Sequence, residues 1–250
     1  MEARGLDTPV ITARRQVESA HRGAPLALPE TAAVFFMSGG MELVRESYPC
    51  RVLTERFPRF LQGGPVLQIE AGNRLCVLHG GSGAPMAADT VEVLAASGVR
   101  RIVAIGMCGV FRRDVDVGDV LLPPFAWVEE GTSPHYDASR RAEPSERVTA
   151  CLAAAFPEGK RLPVVSMDAV YRQTFRKEAA WRALGCVGVD METSAVLTVA
   201  RSLGLEAGAA LIASDKHPES PEETPWAWKL TREARKPFIR RCVEAAMTLK

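Results

Sequence analysis

No run of about 18 consecutive apolar residues occurs in this chain, so no membrane-spanning helix is expected. Its first ten residues are polar and lack the apolar stretch of a secretory leader. Charge of one sign is missing as well. There are 31 basic and 30 acidic residues, a formal net charge of +1, which leaves no electrostatic footprint for nucleic acid or for a membrane surface. Six cysteines are scattered, at 50, 76, 108, 151, 186 and 242. None pairs at metal-ligand spacing, so no metal site is expected, and they form no disulfide framework. Buried free thiols in a reducing, cytoplasmic compartment are the simpler reading. Internal repeats and low-complexity tracts are absent, which excludes solenoid architectures. What remains is 250 residues, 47% of them hydrophobic, enough for a large core in one α/β domain or two small ones.

Strand-like and helix-like patterns alternate along the chain. A basic, partly helical stretch at 13–22, followed by Pro25 and Pro29, reads as an N-terminal arm over residues 1–30. Such an arm packs on the outside of the domain or on a neighbour. A strand at 32–37 runs into Ser38-Gly39-Gly40, and a helix follows around 42–48. Apolar runs at 66–69 and 75–79 flank Ala71-Gly72-Asn73 as a hairpin. Pro85 suits the first turn of a helix that Gly98 stops. Short strands are expected at 101–105, 120–122 and 162–166, and helices at 145–156 and 176–184, the latter closed by Gly185. The polar stretch 129–144 reads as a substrate-covering loop, and 226–250 as a terminal helix. This alternation predicts a single three-layer α/β/α domain over 31–250 with a mixed central sheet.

Two further apolar runs carry the chemistry. Residues 186–189 lead into Asp190-Met191-Glu192 and a long apolar-periodic helix, and 209–213 lead into Ser214-Asp215. Two buried strands thus each end in a carboxylate, at the strand ends where open α/β sheets hold ligands. Taken alone, Glu192 is also an acid favoured by the dipole at a helix start, and Ser-Asp a turn opening. The two together, downstream of two glycine-rich segments, favour a site.

Six segments, Gly81-Ser82-Gly83-Ala84-Pro85, Ile105-Gly106-Met107-Cys108-Gly109, Val117-Gly118-Asp119-Val120, Glu130-Gly131-Thr132-Ser133, Val189-Asp190-Met191-Glu192 and Ser214-Asp215, resemble in order and spacing the nucleoside phosphorylase superfamily over roughly 30–248. The branch concerned holds purine and uridine phosphorylases and the related nucleosidases. The resemblance implies a glycosyltransferase of nucleoside metabolism, such as purine salvage, that needs no cofactor beyond phosphate as co-substrate and acts as a homo-oligomer. It implies that Glu192 binds ribose hydroxyls, since an ionised carboxylate accepts from two at once, with Met191 packed on the sugar. Asp215 would protonate or hydrogen-bond a purine at its imidazole nitrogen, burial raising its pKa toward a useful value. Gly109 falls at the substrate, Tyr171 and Arg172 in the region facing the base, and His135 in the loop beside it.

The nucleophile pocket departs from the family pattern. The arginine usual in the first glycine loop is absent from Ser38-Gly39-Gly40-Met41-Glu42, and Ala104 and Met107 stand where the family has arginine and threonine. Backbone donors at Gly39, Gly40, Gly81 and Ser82 remain for a phosphate, with Arg59, the residue matching an arginine given by a neighbouring subunit, as a cation. The expected reaction is phosphorolysis to a free base and a sugar 1-phosphate, with a purine-type base slightly favoured. The alternatives are a phosphate-independent nucleosidase, with Glu42 an imperfect match to the water-handling glutamate, and a nucleoside-binding protein without turnover.

Overall fold

The computed structural model describes residues 8–19, 26–71 and 74–249. Along these the chain runs α1 (Ala13–Glu18), β1 (Thr31–Phe36), α2 (Gly40–Ser47), β2 (Cys50–Thr54), β3 (Val66–Ile69), β4 (Leu75–His79), α3 (Ala84–Ala96), β5 (Arg101–Val110), β6 (Val120–Leu121), β7 (Ala126–Val128), β8 (Arg141–Ala142), α4 (Glu146–Ala155), β9 (Val164–Ser166), α5 (Phe175–Ala183), β10 (Gly188–Asp190), α6 (Thr193–Ser202), β11 (Glu206–Lys216) and α7 (Arg232–Thr248), with 3-10 turns at Ser133–His135 and Val170–Arg172. All the strands join one mixed eleven-stranded sheet. Among the described residues no helix is long and apolar enough to cross a membrane.

The strand period of two builds the layers. Ala32 and Val34 of β1, Ile102 and Ala104 of β5, and Ala207 and Ala209 of β11 face α3 and α6. Their neighbours Ala33, Phe35, Val103, Ile105, Ala210 and Ile212 face α4 and α7. Both faces are covered, so these strands read as unbroken apolar runs. Gly98 and Gly185 follow α3 and α5 at φ +96° and +85°, the left-handed conformation that ends a helix. Within the arm, Val17 of α1 is buried in the cluster that holds α3. Gly72 and Asn73 of the expected hairpin, and residues 20–25 of the arm, lie outside the described residues.

Three boundaries differ from the sequence pattern, two because strand pairing outlasts it and one because a helix cap sets it. The strand expected at 101–105 continues to Val110 and takes both its glycines with it, because β11 pairs alongside it throughout. The strand expected at 209–213 spans 206–216, so Ser214 and Asp215 lie inside it at a bulge rather than in a following turn. The terminal helix begins at Arg232, where Thr231 Oγ1 accepts the Ala234 amide at 3.2 Å, and not at 226. Strands β2, β7 and β8 were not evident in the pattern. The last two are only three and two residues long.

Candidate active site

Strand β5 organises the site. β11 runs parallel to it along one edge. On the other edge β1 pairs in parallel as far as Gly106, and β10 pairs antiparallel at Gly109 and Val110. The C-terminal ends of β1 and β10 therefore face each other across Met107 and Cys108. This corrects the expectation of two carboxylates on one sheet edge: the two acid-bearing strands run in opposite directions. They converge because Val189 and Asp215 register with the same residue, Gly109, from its two sides. A reversal of strand order opens a crevice, and ligands bind in such crevices.

Beyond β10 the chain turns into α6 through Asp190 and Glu192. Asp190 is buried and accepts from Ser166 Oγ, from the Thr193 amide at 3.0 Å and from Thr193 Oγ. It anchors the strand-to-helix turn. Glu192 caps α6 by position, and its Oε1 accepts one amide, that of Gly83, at 2.6 Å. Gly83 holds φ +82°, so the loop after β4 can aim that amide only as glycine. Burial, then the charge of Asp190, pushes the Glu192 carboxyl up to about 8. Burial pushes the Asp190 carboxyl up as well, against its hydrogen bonds from Ser166 and Thr193.

Asp215 is buried and saturated with donors. Its Oδ2 accepts from His217 Nε2 at 2.9 Å and from the Trp226 indole at 2.5 Å, and Oδ1 accepts from Ser214 Oγ. Burial acts to raise its pKa, but these hydrogen bonds and the His217 charge outweigh it and hold the carboxyl below its ordinary value. The expected rise is thus reversed, and Asp215 is ionised. His217 Nδ1 lies 2.8 Å from Glu178 Oε1 and 2.9 Å from Gln173 Nε2. Burial would lower the imidazole, yet its hydrogen bonds to Asp215 and Glu178, with their charges, raise it to about 9. At neutral pH His217 is an imidazolium. The sequence pattern had passed it over, although residues 215 and 217 share one face of a strand by the period of two. Gly109 makes room for the pair: a Cβ there would lie 2.4 Å from His217 Nε2 and 3.0 Å from Asp215 Oδ2. Asp215, His217, Gln173, Tyr171 and Trp226 line a cavity of about 320 Å³.

The glycine loops are divided among tasks. Gly39 begins α2 at φ +87°, and a Cβ on buried Gly40 would fall 2.4 Å from the Phe35 ring. Two arginines of α7 come to this loop. Arg235 Nη1 donates to Ser38 Oγ at 3.0 Å, and Arg232 Nε would lie 3.7 Å from a Cβ on Gly39. No local pattern relates them to residues almost 200 positions away. The Gly81 amide, expected on phosphate, donates instead to His79 Nδ1 at 3.0 Å. Ser82 is exposed on the same loop. Arg59 is turned into its own chain, 5% exposed, with Nη1 donating to Thr90 Oγ1 at 2.7 Å and Nε without a partner. That threonine in turn donates to the Gly80 carbonyl. His79 is held low by burial and by the Arg59 charge, against the opposing charge of Glu42, so these three groups gather behind the loop.

The remaining expected residues separate. Met191, beside Glu192, is half-buried. Tyr171 is 96% exposed at the mouth of the cavity beside Asp215, and Gln173, rather than the exposed Arg172, reaches into it. His135 lines a different hollow, of about 760 Å³ between α1 and α3. The stretch 129–144 is tied down more than a covering loop would be. Buried Glu130 accepts the Thr132 and Ser133 amides and Ser194 Oγ, and Tyr136 packs on the core beside α3 and α6. Among the described residues no group of three or more His, Cys, Asp and Glu side chains is arranged to hold a metal ion.

A family model described as the phosphorylase superfamily matches residues 30–247. The chain is 34% identical over 143 residues to a guanosine phosphorylase of Halorubrum lacusprofundi, covering 55% of this chain and 59% of that protein. It is 30% identical over 174 residues to a uridine phosphorylase of Haemophilus influenzae, covering 61% and 69%. In fold it is similar to a purine nucleoside phosphorylase of Toxoplasma gondii solved with immucillin-H, with a TM-score of 0.75 at 17% identity over 90% of this chain and 96% of that one.

Proposed function

The chain belongs to the phosphorylase superfamily, and from its site we propose that it cleaves the N-glycosidic bond of a purine-type nucleoside by phosphorolysis. The observation that carries this reading is the registry of β10, the strand that leads into Glu192, and of Asp215, paired with His217, on the same residue of β5, Gly109. Glu192 holds the sugar hydroxyls, and gives up its proton as they bind. Asp215 meets the departing base, where negative charge develops as the sugar becomes oxocarbenium-like. Phosphate attacks the anomeric carbon from the side of the glycine loops. Arg59 supports phosphate over water: a buried guanidinium with an unpartnered Nε and, among the described residues, no carboxylate hydrogen-bonded to it is suited to an anionic ligand.

A second reading, hydrolysis, has its own support. The Gly81 amide is committed to His79, and Ala104 and Met107 offer phosphate neither charge nor hydroxyl. Nucleoside cleavage measured with and without phosphate separates the two. Turnover of guanosine or inosine that requires phosphate upholds phosphorolysis, and a rate independent of phosphate overturns it in favour of the nucleosidase. Uridine serves as the base-specificity control, and uridine turnover equal to inosine would remove the purine preference. Asp215→Asn is expected to lower kcat for purine nucleosides by ~10²–10⁴-fold, the range of general acid catalysis. If no nucleoside turns over, yet nucleosides bind by calorimetry, the chain is a binding protein.

The free cysteines, four of them buried, support a reducing, cytoplasmic setting. Exposed Phe60 and Leu61, on the rim of the hollow between α1 and α3, support a homo-oligomer.

A further inference from the structure

Among the described residues His217 is the one basic group in contact with Asp215, and nothing in the family motifs refers to it. Its surroundings are spread over three elements. Asp215 shares its strand face, and Glu178 comes from α5 with Arg182 3.6 Å behind it on Glu178 Oε2. The Phe111 ring, just past β5, lies 6.5 Å away between centroids, and Gln173 Nε2 donates to the same Glu178 Oε1 at 2.8 Å. His217 thus sits between two buried carboxylates with one nitrogen on each. Asp215 by itself cannot be the acid in this state, because it is ionised and accepts from three donors.

We propose that His217 is the positioning residue that supplies Asp215 with the proton the leaving base takes up. This rests on the proposed cleavage of an N-glycosidic bond. In the step, the bond between the anomeric carbon and the base nitrogen breaks, and its electron pair goes to the base. The proton on His217 Nε2 crosses to Asp215 Oδ2, and from that carboxyl a proton passes to the imidazole nitrogen of the base. His217 is left neutral, Asp215 ends ionised as it began, and phosphate or water bonds to the anomeric carbon. Trp226 donates to the same Oδ2, so the base reaches this oxygen by taking the place of the indole N–H. The indole is half exposed, at the cavity edge, and has room to move aside. Glu178 holds the far side of the ring and keeps it charged until the base arrives.

The test compares His217→Gln and Glu178→Gln with the wild type on two substrates across pH. One is inosine. The other is inosine methylated on the imidazole nitrogen of its base, which already carries positive charge and needs no proton. Wild-type kcat on inosine is expected to fall as pH rises through about 9, where His217 loses its proton. His217→Gln is expected to lose roughly 10²-fold in kcat on inosine, the lower end of general acid effects, together with the alkaline limb, while turnover of the methylated substrate stays within a few-fold. Glu178→Gln removes one carboxylate partner and is expected to move the alkaline limb down by about one pH unit or more. Equal losses on both substrates in His217→Gln would show a merely structural role and overturn the proposal. So would a limb that stays in place in Glu178→Gln, which keeps the proposal testable if His217→Gln fails to fold. If wild type cleaves neither substrate, the functional reading itself falls.

Discussion

Glu192→Gln separates stability from function at one residue. Burial and the Asp190 charge hold the carboxyl at about 8, against an ordinary 4.5. A raised acid binds a proton more tightly folded than unfolded, so its contribution to stability is complete below about pH 4.5. That contribution is lost progressively as pH rises toward 8 and does not return above it. At 1.36 kcal/mol per pH unit, the full change amounts to about 5 kcal/mol. This is a ceiling, because Asp190 and Glu192 titrate together and the site relaxes on ionisation. Glutamine keeps the acceptor for the Gly83 amide and never ionises. The variant is therefore expected to exceed wild type by at least about 2 kcal/mol at about pH 8.5, or roughly 4–8 °C in Tm for a chain of this size. At about pH 4.5 the two are expected to match. Function moves the other way. Losing a charged acceptor for the sugar hydroxyls, at about 1.5–3 kcal/mol per hydrogen bond, lowers kcat/KM by about 100-fold. Urea unfolding of both proteins at the two pH values, alongside nucleoside kinetics at neutral pH, reads both effects. A variant no more stable than wild type at pH 8.5 would refute the claim that this carboxyl is held uncharged against its solution preference.

Three further outcomes follow from the geometry. Gly109→Ala places a methyl 2.4 Å from His217 Nε2, so turnover of purine nucleosides is expected to collapse while circular dichroism stays native; normal turnover would mean that the Asp215–His217 contact is dispensable. Arg59→Met removes the buried cation, and KM for phosphate is expected to rise at least about tenfold with the nucleoside KM little changed; an unchanged phosphate KM would remove Arg59 from the anion site. Light scattering at micromolar concentration is expected to give at least a dimer, and a monomer would contradict the assembly inferred from the hollow beside Phe60 and Leu61.

Local pattern determined most of the layers and one half of the site. Alternating apolar runs dictate the buried strands because both sheet faces must be covered, and glycines at 98 and 185 stop helices because only they take a positive φ without strain. The Met-Glu and Ser-Asp pairs were legible because acids at the ends of apolar runs break the pattern. Tertiary structure alone decided what those acids do. Strand direction is invisible in an apolar run, so the antiparallel entry of β10, and with it the registry of β10 and β11 on the two sides of Gly109, emerges only with pairing. Burial alone gives the wrong charge state for Asp215, since donors from Trp226 and from His217, itself held by Glu178 of α5, reverse the effect of desolvation. The use of the Gly81 amide by His79, and the arrival of Arg232 and Arg235 beside Gly39, likewise depend on contacts that sequence spacing does not encode. A sequence states which groups are present and which face of an element they share. Which partners each buried charge finds, and so its protonation, is fixed only when distant segments close around it.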